Sequence, residues 1–239
     1  MKYLKNMAHR LFRISGYDFL RYNSDNFVSI RRAKILNSQG IDLLLDIGAD
    51  EGTYPPTLRE TGYHGRIISF EPLPQSFHLL QQRADGDPLW SCENMAIGDF
   101  DGTIEINVSA HKTSSSILPM TQTHIQAMPA SDFIGKEKVK VARLDSLLNK
   151  FNGSQRLYLK IDVQGYEQHV LLGAAETLKR TYAMEMELSL TPLYQGGMLM
   201  DEMLDYLGRM NFNLVSMEPV FFDPKTGNML QADGIFIKH

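Results

Sequence analysis

The chain has 239 residues, of which 43% are hydrophobic and 22% charged, the balance of a folded globular protein of one sizeable domain with at most a small appendage. No run approaches the ~18 consecutive apolar residues of a membrane span, and the single cysteine, Cys92, excludes an internal disulfide framework and a cysteine-built zinc cage. The net charge of −4 is divided unevenly: residues 1–40 hold eight Lys/Arg against two acids, so the remainder carries −10, and an acidic body argues against a nucleic-acid partner.

Lys5, Asn6, His9, Arg10 and Arg13 interrupt the first residues and leave no signal-peptide core. Leu4, Met7, Leu11 and Ile14 recur at helical spacing instead, with Lys2, Lys5, His9 and Arg13 mostly opposite. Such a helix packs on the domain or on a second copy, the favoured expectation. The alternative is peripheral contact of residues 1–35 with an anionic membrane. The expected division is a basic helical segment at 1–39 and one domain at 40–239. The lone cysteine fits a reducing, cytoplasmic setting. A homodimer is left open.

Strands and helices then alternate. Ile41–Ile47 reads as a buried parallel strand. Thr53–Thr61 is a helix that tolerates Pro55 and Pro56 only in its first turn. Arg66–Phe70 is the second strand and Pro74–Ala84 the next helix. Ser91–Ile97 and Thr103–Val108 flank Asp101-Gly102 as an expected hairpin. Residues 109–138 are irregular and read as a lid or binding loop. Val139–Ala142 is a short strand, Asp145–Lys150 a helix and Leu157–Ile161 an apolar strand. A helix from about Tyr166 to Lys179, a strand Tyr182–Leu188, a helix Asp201–Met210 and the strands Phe212–Met217 and Gly234–Lys238 complete the chain. This order implies an open, mostly parallel, doubly wound α/β sheet with a closing antiparallel hairpin. Ligands of such sheets bind beyond the carboxyl ends of the strands, where the strand order reverses.

The most informative segment is Asp46-Ile47-Gly48-Ala49-Asp50-Glu51-Gly52, between the first strand and its helix. Gly48 permits a tight turn and close backbone approach, and Gly52 opens the helix whose first N–H groups face a ligand. The dinucleotide fingerprint is incomplete, and Asp50 and Glu51 would repel a pyrophosphate. They suit S-adenosylmethionine, which carries an ammonium and a sulfonium and no phosphate. Glu71-Pro72 ends the second strand nineteen residues past Gly52, where an acid accepts hydrogen bonds from both ribose hydroxyls. Met95 and Ala96 lie where small and apolar groups form an adenine slot. Asp162, at the end of the fourth apolar strand, is placed to bind the ammonium, hold a metal or act as general base. Glu185 and Glu187 share one face of the fifth strand. Glu187, nearer its end, is a second catalytic candidate unless both acids pair with Lys160 or Arg180. His111 and His124 lie in the long loop, and His111 is a third candidate base. None of the seven histidines forms a metal-ligand pair, so no metal is expected.

The blocks LLLDIGADEGTY, ISFEPLP, ENMAIGDFDGTIEI, SSSIL, VARLDSLL and LYLKIDVQGYEQHVLLGA resemble the FkbM family of S-adenosylmethionine-dependent methyltransferases over about residues 40–239. The resemblance implies a Rossmann-like class I fold with a seven-stranded sheet. It also implies methyl transfer to an oxygen, with hydroxyls of sugars, glycolipids, polysaccharides or related natural products as acceptors. By position in the motifs, Asp46, Gly48, Ala49 and Gly52 would line the methionine part, Glu71 the ribose, and Met95 and Ala96 the adenine. Asp162 would lie near the reacting centre, with Ser114–Ser116 bordering it. Three positions depart from the family pattern: Asp50 for Asn, Gln164 for Glu, and Pro55-Pro56 in the first helix. Gln164 removes a charge beside Asp162 and argues against a metal there. The competing readings are a non-catalytic donor-binding scaffold and an NAD-dependent oxidoreductase, the latter opposed by Asp50 and Glu51.

Overall fold

The computed structural model describes residues 12–18, 20–154 and 156–239. The expected N-terminal face formed by Leu4, Met7 and Leu11 lies outside them. The strand Leu43–Ile47 (β1) is buried at all five positions because helices cover both faces of its sheet. It pairs in parallel with Arg66–Phe70 (β2) on one side and Leu157–Ile161 (β7) on the other. Trp90–Glu93 (β3) extends the sheet beyond β2. Thr181–Ser189 (β8) continues it beyond β7, followed by Met229–Lys238 (β10) and Phe212–Phe222 (β9), both antiparallel to their neighbours. The seven-stranded order is β3-β2-β1-β7-β8-β10-β9. The direction of chain progression reverses between β1 and β7, and that junction sets the position of the crevice.

Alternate strand residues feed two cores. Leu43, Leu45, Ile47, Leu157, Leu159 and Ile161 pack under the helices Glu167–Leu172 (α5), Ala175–Lys179 (α6) and Met200–Arg209 (α7). On the opposite face, Leu44, Ile67, Tyr158 and Ala183 meet Leu36 of Val28–Ser38 (α1), Leu58 of Tyr54–Glu60 (α2) and Leu80 of Pro74–Ala84 (α3). Pro55 and Pro56 stand in the first turn of α2, where the missing N–H groups have no helical partner to lose.

The middle of the chain differs from the sequence expectation. Ser91–Ile97 and Thr103–Val108 do not form a hairpin. β3 joins the large sheet, whereas Ala96–Ile97 (β4) and Gly102–Ser109 (β5) flank Phe133–Ala142 (β6) in a separate sheet of order β4-β6-β5. Long-range pairing with β6, six residues longer than the strand expected at Val139, outcompetes the local turn. The expected loop contains a helix at Gln122–Ala127 (α4), capped by the Thr121 side chain, and short 3₁₀ turns at Lys112–Ser114 and Pro129–Ser131. The single helix expected from Tyr166 breaks into α5 and α6 at Gly173. A Cβ there would sit 1.9 Å from the Gly98 carbonyl oxygen, so the close crossing admits no side chain. The segment Leu144–Phe151 is 3₁₀ rather than α-helical. Among the described residues no helix is long and apolar enough to cross a membrane.

Candidate active site

The loops following β1 and β7 touch. Gly48 has φ +77, and a Cβ on it would lie 1.8 Å from the Asp162 carbonyl oxygen, so only glycine permits this contact. The Gly48 and Ala49 N–H groups both donate to the Phe70 carbonyl, which anchors the turn to β2. A pocket of about 710 Å³, counting its open mouth, lies above this junction. Its walls include Gly48, Asp50, Glu71, Pro72, Asp162 and Gln164, together with Met95 and Ala96.

Glu71 is 5% exposed. Asp50 N–H donates to its Oε2 (2.9 Å) and Leu73 N–H to its Oε1 (2.8 Å). Burial raises its pKa to about 7, although both backbone donors oppose the shift. Each carboxylate oxygen thus keeps one further lone-pair position. Asp50, in the left-handed region at φ +46, is held by a hydrogen bond from the Ser76 hydroxyl (2.8 Å). Glu51 instead pairs with Arg83 and with Lys112, which stands at the pocket mouth 3.0 Å away.

Ile106 of β5 and Ile117 supply the apolar wall beside Met95 and Ala96. Neither was readable as a site residue, because only the small sheet brings them here. Lys112, Thr113 and Ser115 line the mouth, while Ser114 and Ser116 are buried behind them.

Asp162 has a side chain 39% exposed. Its Oδ2 lies 3.2 Å from Lys160 Nζ, and its Oδ1 accepts from Gln164 Nε2 at 2.7 Å. Lys160 also donates to the Gly48 carbonyl and lies 3.7 Å from Asp46 Oδ1. Burial works against the Lys160 charge, but Asp162 and Asp46 outweigh it and hold its pKa above the usual lysine value.

Not every expected residue reaches the pocket wall. Asp46 is fully buried, accepts from Ser69 and underlies the loop through Lys160. Its pKa is raised by burial, with Lys160 and Ser69 opposing. Ala49 is buried beneath the turn. Gly52 has φ +78, and a Cβ there would meet Leu80 at 2.6 Å, so it serves the turn and the α3 packing. Glu187 lies behind Gln164, accepting from Gln164 Nε2 (3.1 Å) and Gln231 Nε2 (2.6 Å). Its pKa is raised well above the ordinary carboxylate value by burial and then by Asp162, Glu167 and Asp233. Glu185 pairs with neither Lys160 nor Arg180: Arg32 of α1 grips it, and the Tyr54 and Tyr158 hydroxyls donate to it. His111 is exposed beside the mouth, with Nδ1 2.9 Å from Thr113 Oγ1. His124 is buried against Tyr194, and burial lowers its pKa to about 4.

An apolar wall, a recessed carboxylate and a glycine turn flanked by acids stand together in a fold of one class: a Rossmann-like methyltransferase whose methyl donor is S-adenosylmethionine. The walls fit that donor, since Lys112 at the mouth is already paired and the loop presents acids where a pyrophosphate would need cations. A family model described as Methyltransferase FkbM domain matches residues 46–214, and the chain belongs to that family. The nicotinamide alternative falls with this match.

A relative, the 2-O-methyltransferase NoeI of Sinorhizobium fredii (strain NBRC 101917 / NGR234), is 25% identical over 183 residues, covering 74% of each chain. Among solved structures, magnesium protoporphyrin IX methyltransferase (ChlM) from Synechocystis PCC 6803 aligns at 10% identity with a TM-score of 0.48, covering 98% of this chain and 97% of the other. TehB from Haemophilus influenzae aligns at 12% identity with a TM-score of 0.48, covering 89% of this chain, which spans 62% of that one.

Proposed function

We propose that the chain transfers a methyl group to an oxygen, the acceptor being a hydroxyl of a sugar, a glycan or a related small molecule, with Asp162 as general base. The observation that carries this reading is the position of Asp162. It is a half-exposed carboxylate at the carboxyl end of β7, on the wall of the pocket that also presents Gly48 and Glu71. The 2-O-methyl transfer named for NoeI supports an oxygen acceptor.

S-adenosylmethionine, when bound, supplies a methyl group on a sulfonium already electrophilic enough for direct displacement. The residues of the chain orient and exclude water. Glu71 would hold the ribose hydroxyls, Met95, Ala96, Ile106 and Ile117 would enclose the adenine, and the loop at Gly48–Asp50 would face the methionine part. Lys160 balances the charge of Asp162 from the side away from solvent, leaving a free lone pair on each carboxylate oxygen. An acceptor hydroxyl seated there would pass its proton to Asp162.

The test uses labelled donor with a panel of glycans, hydroxylated lipids and simple glycosides. Asp162→Asn is expected to lower turnover by about 10²- to 10⁴-fold while S-adenosylhomocysteine affinity stays within about threefold. Undiminished turnover in the variant removes Asp162 from the role. Donor-product binding with no methylation of any acceptor class would favour the scaffold reading.

A further inference from the structure

Gln164 sits at the turn after β7 in the left-handed region, φ +55, a conformation seldom adopted by a residue with a long side chain. Every polar atom of its side chain is engaged. Nε2 donates to Asp162 Oδ1 at 2.7 Å and to Glu187 Oε2 at 3.1 Å. Oε1 accepts from the Tyr194 hydroxyl at 2.8 Å. Its backbone carbonyl accepts from the Ser116 hydroxyl at 2.6 Å. The partners fix the amide orientation: two acceptors face the nitrogen and one donor faces the oxygen.

The surroundings are crowded with acids. Glu187 is half-buried close to Asp162, Glu167 and Asp233, and each of them disfavours its charge. Lys160 is the cation facing this group from β7, and Arg32 reaches Asp233 from α1 at 3.3 Å. Asp162 and Glu187 thus meet at one point, and what stands at that point is a neutral group with two hydrogens. Tyr194 and Ser116 tie the same group to the pocket mouth: Tyr194 also donates to the Ser114 carbonyl, and Ser116 adjoins Ser115 and Ile117 on the wall.

We infer that Gln164 is a positioning residue for methyl transfer: its amide separates the Asp162 and Glu187 carboxyl groups, aims Asp162 at the acceptor and couples that aim to the placement of residues 112–117. The inference rests on the reading of Asp162 as base. A carboxylate at position 164, the residue the family pattern has there, would keep the shape and the Tyr194 bond but, against the Asp162 and Glu187 of this chain, would bring three acids into contact. Such a cluster must share a proton, and its titration belongs to the group rather than to one residue. A methionine would keep the volume and remove all three side-chain bonds.

Full-length Gln164→Glu and Gln164→Met are compared with wild type from pH 5 to 9. The readouts are transfer to the acceptor class that wild type methylates, S-adenosylhomocysteine affinity by calorimetry, and the thermal midpoint. For Gln164→Glu, turnover at pH 7 is expected to fall at least tenfold, with the acid limb of the profile moved up by at least one pH unit. For Gln164→Met a similar fall without that displacement is expected. Product affinity stays within about threefold in both. The midpoint of Gln164→Glu falls progressively further below that of wild type as pH rises to 8, and adding Asp162→Asn removes that extra fall. A Gln164→Glu profile superimposed on wild type, full turnover in Gln164→Met, or a midpoint loss equal at pH 5 and pH 8 overturns the inference. If wild type methylates nothing in the panel, the midpoints decide alone. An active Asp162→Asn enzyme would sink the base assignment instead, whereas an inactive one beside an unaltered Gln164→Glu enzyme would sink only the present inference.

Discussion

Replacing Glu71 by Gln tests the donor pocket without an acceptor. The carboxylate takes two backbone donors, Asp50 N–H at 2.9 Å and Leu73 N–H at 2.8 Å. An amide has one acceptor oxygen, so its NH₂ must face one of these N–H groups, and a buried donor left unsatisfied costs about 1–3 kcal/mol. Opposing this is the ionisation of the wild-type side chain. Its pKa rises from 4.5 unfolded to about 7 folded, a shift equivalent to about 3 kcal/mol. A raised carboxyl pKa gives stability that is fully present below about pH 4.5 and is lost as pH climbs through about 7. The variant lacks this loss. Gln should therefore be about 1–3 kcal/mol less stable than Glu at pH 5 and equal to it, or up to about 2 kcal/mol more stable, at pH 8. Binding should move the other way. At pH 8 the ionised carboxylate makes charge-assisted bonds to the ribose, each worth about 1.5–3 kcal/mol, so S-adenosylhomocysteine affinity should drop roughly 10- to 100-fold in the variant. At pH 5.5 the difference should shrink to a few-fold. Calorimetric titrations at both pH values, paired with thermal melts, measure the two effects. Equal affinity ratios at the two pH values, or a loss under twofold at pH 8, would refute the placement of an ionised Glu71 against the ribose.

Gly48→Ala forces a Cβ to within 1.8 Å of the Asp162 carbonyl oxygen at φ +77; we expect a destabilisation of at least about 2 kcal/mol and loss of donor-product binding, read by melts and calorimetry. Arg32→Ala leaves Glu185, 2% exposed, without its guanidinium and should cost about 3–5 kcal/mol, or roughly 10 °C in midpoint; Arg32→Met with Glu185→Leu should recover much of it, and a negligible loss in the single variant would remove α1 from the stability of the sheet. For the whole protein, Glu71, Glu167 and Asp233, each raised to about 7 by burial, lose stability as pH rises toward neutrality. Asp87 and Asp99, lowered through bonds to Arg59 and His169 despite some desolvation, lose it as pH falls into the acid range. The thermal midpoint should therefore peak at roughly pH 5, and a midpoint rising steadily from pH 5 to 8 would contradict this account.

The parts of the candidate site that were legible share one property: each is a short run whose chemistry is local. Gly48 with two acids after a buried strand, Glu71 at the end of the next strand and Asp162 at the end of a later one are all marked by spacing and residue type. Parallel strands carry such residues to the same end of the sheet, so reading the strands was enough to bring them together. The apolar wall was not legible. Ile106 belongs to a strand whose partner, β6, lies some thirty residues further along the chain, and Asp101-Gly102 suggested a local hairpin instead.

Asp46 shows the difference on a smaller scale, since its place in the glycine-loop motif does not tell whether its side chain meets the ligand or the core. Only the packing of β1 between β2 and β7 turns it toward Ser69 and Lys160. Glu185 and Glu187 repeat the lesson two residues apart on one face: one is claimed by Arg32 from the N-terminal segment, the other by Gln164 and Gln231. By itself, then, the sequence determined the alternating α/β order, the acid-bearing glycine turn and the carboxylates at strand ends, because periodicity and backbone freedom act over a few residues. Which acids line the pocket and which are neutralised in the interior was decided by the tertiary structure, because a buried charge is governed by partners brought from anywhere along the chain.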